Sequence, residues 1–114
     1  MQSSWICGEN MSYKVVLTPD AEEDLNQFIR YLLYEKKNAQ AAANVLDDFD
    51  MTKQNLSRVA GSLKLCEHPK LKALGYRRIG FLSHRYFMLY RIEDQLAIVD
   101  GIFHELQDFE NKII

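Results

Sequence analysis

The sequence predicts an α+β fold, a two-layer sandwich in the order strand-helix-helix-strand-strand-strand, with a helical hairpin packed on a mainly antiparallel sheet. Three observations carry this. A short β-branched run, YKVVL at 13–17, stops at Thr18-Pro19-Asp20; two stretches of helical period follow with only a few residues between them; beyond Gly75 come three apolar runs separated by two-residue turns. Helices segregated in sequence from hairpin-linked strands form one layer laid on another, not an alternating parallel sheet.

The strand at 13–17 runs directly into a helix start. Thr18 offers a hydroxyl to the orphan amides, Pro19 presets φ for the first helical position, and Asp20, Glu22 and Glu23 sit at the positive end of the helix dipole. Ala21, Leu25, Phe28, Ile29, Leu32 and Leu33 then recur at helical spacing, and the helix is expected to end near residues 35–38. The second helical pattern turns Ala42, Val45, Leu46, Phe49, Leu56 and Val59 inward and Asp47, Asp48, Lys53 and Gln54 outward, ending near Gly61. So short a connection predicts an antiparallel pair.

Residues 63–74, LKLCEHPKLKAL, lack a clean period and contain His68-Pro69, so they read as a linker. Strands are expected at 76–82, 85–92 and 95–103, joined through Ser83 and His84, then Glu93 and Asp94, as an antiparallel meander. The middle run is apolar at nearly every position, which suits a central strand covered on at least one face.

A chain of 114 residues with 47% apolar and 26% charged residues has room for one modest core, and is too apolar for disorder. The domain is placed at 13–114, with residues 1–12 as an N-terminal extension, because the first regular pattern begins at Tyr13. That extension has neither the basic nor the continuous apolar segment of a secretory signal, and no stretch suits a membrane span. Two cysteines, Cys7 and Cys66, argue against a disulfide framework and fit a reducing, cytoplasmic setting. Residues 61–92 hold seven basic side chains against Glu67 alone, whereas 1–60 hold six against nine acidic ones and 93–114 one against six. Such asymmetry suits an anionic partner, nucleic acid or an acidic protein segment; a strand pair with solvated basic faces explains it equally well.

Five strings, "YKVVLTPDAEEDL", the helical hairpin, "LGYRRIGF", "HRYFMLYRIED" and "IFHELQDFEN", together resemble the RelE/ParE superfamily, the toxin halves of bacterial toxin-antitoxin pairs, over residues 13–111. The resemblance implies a cognate antitoxin whose acidic C-terminal segment wraps the sheet and hairpin. It also implies one of two targets: the ribosome, with cleavage of its mRNA, or DNA gyrase, which is poisoned. A catalytically inactive module that only engages its antitoxin is the third reading. No cofactor and no metal are implied.

Metal-independent RNA cleavage needs a group to deprotonate the 2′-hydroxyl, cations to stabilise the phosphate charge of the transition state, and an acid for the leaving oxygen. The catalytic candidates are Arg77, Arg78, Arg85 and His104, and the substrate-binding candidates Lys72, Tyr86, Tyr90 and Arg91. Strand alternation sends Arg77 and Arg78 to opposite faces, so one of them, taken as Arg77, would serve a site. RelE-like nucleases carry an arginine just before the apolar end of the middle strand; here Phe87 precedes Met88-Leu89-Tyr90, a ParE-like departure. The His84-Arg85 pair instead matches a dipeptide of some ribosome-dependent toxins. His104 equally suits a structural role at a strand end, hydrogen-bonded to Asp108. Phe103, Leu106 and Phe109 are expected to seal the tail against the sheet, and Tyr31 and Tyr34 to belong to the core rather than to a partner surface.

Overall fold

The computed structural model describes residues 12–82 and 85–105. Strand β1 (Lys14–Leu17) leads into helix α1 (Pro19–Arg30), and helix α2 (Ala39–Val59) completes the hairpin. A short helix α3 (Pro69–Ala73) precedes the meander β2 (Arg77–Gly80), β3 (Tyr86–Glu93) and β4 (Leu96–His104). The strands lie in the order β1-β4-β3-β2. The meander is antiparallel, and β1 joins it parallel to β4, Lys14 opposite Leu96 through Leu17 opposite Val99.

The start of α1 follows from its capping chemistry. Thr18 Oγ1 accepts from Ala21 N at 3.2 Å with Pro19 at the first helical position. The same Thr18 donates its backbone N–H to Val99 O at 3.0 Å, so the cap also pins the helix to β4. Where β1 has ended, the edge of β4 is covered by α1: Asp24 Oδ2 accepts the Ile102 amide at 3.1 Å. A β-bulge between Leu89 and Tyr90 pairs them with Gly101 and Val99, leaving Asp100 as the extra residue.

Two cores result, one on each face of the sheet. On the helix side Ala21, Val45, Phe49 and Leu56 meet Ile79, Met88, Tyr90, Val99 and Ile102. On the opposite side Cys66 and Leu71 cover Phe87, Leu89 and Phe103. Residues 63–74 are therefore not a bare linker. Pro69 starts α3 with His68 Nδ1 accepting from Lys70 N at 3.2 Å, and the segment forms a partial third layer. Burial on both sides is why β3 reads as a continuous apolar run.

Three expectations about the hairpin need correction. Asp48 is buried, its Oδ1 accepting the Leu82 amide at 3.0 Å, whereas Leu46 is 41% exposed. Tyr31 and Tyr34 are exposed as well, because α1 widens into a π-type turn over Tyr31–Glu35 that breaks the 3.6-residue phase before Lys37 takes a positive φ of 50°. Ser83, His84 and the tail positions Leu106, Asp108, Phe109 and Glu110 lie outside the described residues.

Candidate functional site

Strand register sorts the candidate residues into two groups. Arg77 stands opposite Tyr90 and two residues from Ile79, which places it on the helix side, and its Nε is buried with no hydrogen-bond partner among the described residues. His104 stands opposite Tyr86 and meets that ring edge-on at 5.2 Å. Tyr86 in turn packs on Phe28 at 4.9 Å, so His104 too belongs to the helix side. Burial, then the nearby Tyr31 hydroxyl, raises the Tyr86 phenol above its ordinary value and keeps it neutral.

The other group faces the opposite side of the sheet. The Arg78 guanidinium lies 3.9 Å over the buried Phe87 ring, a cation-π stack. Arg85 is exposed, two residues before Phe87, and its carbonyl accepts from Glu105 N at 2.9 Å. Lys72 is exposed beside buried Leu71 on α3. Arg91 is held: its Nε donates to Asp100 Oδ2 at 2.9 Å and its Nη1 pairs with Glu93. Tyr76 donates to the same Asp100 oxygen at 2.7 Å. Burial and then the Asp100 carboxylate push the Tyr76 phenol up, while Asp100 holds Arg91 in its charged form.

Tyr90 is not presented to any ligand. It is fully buried, with its hydroxyl donating to Ala60 O at 2.7 Å, and burial pushes its pKa up to about 12. The tight arrangement at the bulge, Tyr76-Asp100-Arg91, escaped the sequence reading. Its signal was present as a lone carboxylate inside the apolar run QLAIVDGIF.

Two concavities open on the described surface, the first bordered by Arg78. One, of about 470 Å³, opens between residues 63–68 and Arg78 on the α3 side. The second, of about 510 Å³, lies along β1 between α1 and α2, lined by Val15, Leu17, Leu25 and Phe49 with Glu22 and Lys53 at its rim. Among the described residues no group of histidine, cysteine and carboxylate side chains is placed to hold a metal ion, and no helix is long and apolar enough to cross a membrane.

Residues 15–109 match the family model described as the ParE toxin of the type II toxin-antitoxin system parDE. Two solved structures share the fold. A chain of the chromosomal ParDE system from P. aeruginosa superposes with a TM-score of 0.64 at 16% identity, covering 82% of this chain and 97% of that one. A chain of the RelBE2 toxin-antitoxin complex from Mycobacterium tuberculosis superposes with a TM-score of 0.53 at 22% identity, covering 82% and 98%. Among curated proteins none matches by sequence.

Proposed function

We propose that this chain, which belongs to the ParE toxin family of type II toxin-antitoxin systems, arrests growth by inhibiting DNA gyrase and does not itself cut messenger RNA. The observation that carries the choice of target is the division of the candidate cleavage residues by the sheet. Arg77 and His104 lie on the helix side, Arg78 and Arg91 on the other. A general base and its phosphate-stabilising cations must reach one scissile phosphate, with the proton-transferring group within about 3 Å of the proton it moves. Groups on opposite faces of a strand layer cannot do so.

Charge state points the same way. Arg91 already satisfies two carboxylates, and recruiting it to a phosphate would leave Asp100 and Glu93 without their cation. His104 stands edge-on to the Tyr86 ring on the helix side of the sheet. An antitoxin would neutralise the toxin in the cytoplasm, its acidic segment matched to the basic residues of 61–92, and the concavity along β1, which mixes apolar and polar side chains, offers it a second hold.

Purified protein added to a gyrase supercoiling reaction and, in parallel, to a translation extract with labelled message tests this. Expected are loss of supercoiling and an intact message. Cleaved message with normal supercoiling would overturn the reading, and an effect on neither reaction would favour a module that only binds its antitoxin.

A further inference from the structure

Four cations lie on a face to which the gyrase reading assigns no role once the antitoxin has been released. The α3 side carries four exposed cations: Lys64 and Arg78 line the cleft that residues 63–68 form, and Lys70 and Lys72 flank buried Leu71 on the adjoining helix. They are held by a rigid base: Leu71 and Cys66 are buried against Phe87 and Leu89, and Arg78 is stacked flat on Phe87. Glu67 is the one acidic residue between positions 61 and 92, and its pairing with Lys64 at 3.2 Å is between two side chains more than four-fifths exposed. Such a pair is worth little and exchanges readily for a phosphate.

We infer that this face is a docking surface for the phosphate backbone of duplex DNA, through which the toxin engages the DNA held by its target enzyme. The inference rests on the gyrase reading only for that last clause. Duplex is favoured over single-stranded nucleic acid because a single strand is held by stacking on exposed rings. Here the rings are spent: Phe87 and Phe103 are buried, and the Tyr76 hydroxyl is tied to Asp100. What remains outward is charge, which reads backbone and not base. An acidic peptide would also answer to charge, but it lacks the fixed phosphate spacing that lets several cations act together.

The test is fluorescence anisotropy of labelled duplex DNA titrated with the toxin, without gyrase, over a range of salt. Four phosphate contacts predict a log-log salt slope of about −3.6, or roughly a 150-fold loss of affinity between 50 and 200 mM salt. Replacing Lys64, Lys70 and Lys72 together by glutamine should cut the slope to about −0.9. These lysines are exposed, so circular dichroism should show the variant folded; Arg78→Lys, which keeps the charge, should retain the slope. A salt slope near zero, a slope unchanged in the triple variant, or equal binding of single-stranded RNA or a polyglutamate peptide would overturn the inference. Duplex binding without loss of supercoiling would sink the gyrase reading and leave this one standing, whereas inhibition without duplex binding would do the reverse.

Discussion

The hydroxyl of Tyr90 gives the most quantitative handle on this fold. It lies in the helix-side core, 2.7 Å from the carbonyl of Ala60 just past the end of α2, and joins the central strand to the helical hairpin. Tyr90→Phe keeps the ring contacts and removes only this bond, leaving a buried carbonyl without its donor. That costs about 1–3 kcal/mol at neutral pH, or a fall in Tm of about 4 °C per kcal/mol for a chain of this size. The phenol pKa adds a second, independent signature. Burial raises it from the ordinary value of about 10 to about 12. A raised folded-state pKa means the folded protein holds the proton more tightly, so this contribution is fully present below pH 10 and is lost as pH climbs through 12. Between pH 9 and 11 the wild type should lose about 1.4 kcal/mol through this group, and the phenylalanine variant nothing. Tyr76 and Tyr86 are raised in both proteins and cancel in the difference. Urea unfolding of the pair across this range measures it. A gap that stays constant from pH 8 to 11, or that is absent at pH 7, would refute the buried bond.

Other substitutions probe the remaining joints. Gly101→Ala would set a methyl 2.6 Å from the Phe103 ring, so it should displace that ring and cost about 1–3 kcal/mol in thermal unfolding. Asp48→Ala removes the acceptor of the Leu82 amide from a site only 4% exposed and should cost a similar 1–3 kcal/mol or so, read by the same melt. Thr18→Ala takes away the cap of α1 and should lose about 1 kcal/mol. Arg77→Ala and His104→Ala should leave supercoiling inhibition in place, measured in proportion to folded protein; loss of inhibition in either one at full stability would mean that the helix side takes part in the activity.

The fold was legible where local chemistry decides it. The Thr18-Pro19-Asp20 start, the hairpin connection closed by Asn38, whose side chain caps α2 through Ala41 N, and the three strands of the meander all stand close to their expected positions. What stayed hidden depends on distant partners. The parallel pairing of β1 with β4 joins residues about eighty positions apart, and nothing in either run specifies it. Asp48 lies on the buried stripe of α2 because a backbone amide 34 residues away needs an acceptor, which no helical period reveals. Residues 63–74 hid their role for another reason: Cys66 and Leu71 enter the second core singly, without a repeat to mark them. The same applies to the site. The split of Arg77 from Arg78 followed from alternation alone, but the capture of Arg91 by Asp100 depends on the pairing register of β3 with β4, which no local pattern fixes.

That bulge bears on how one scaffold could serve two unlike targets. With unbroken alternation, Asp100 would follow Ile98 onto the outer face and Gly101 would fall on the helix side; the inserted residue instead puts Asp100 and Gly101 together on the outer side. The Asp100 carboxylate makes Arg91 a structural cation, and the glycine makes room for the Phe103 ring that roofs the second core. A nuclease needs its outer-face cations unpaired and a proton-transferring group beside them. Here the central outer-face arginine is neutralised, His104 is turned to the helices, and Lys64, Lys70 and Lys72 lie out at the rim on and before α3. A cation at a rim can hold a backbone by attraction at a distance, but it cannot surround a single phosphorus. Under the proposed gyrase reading, the chemistry left to this surface is binding.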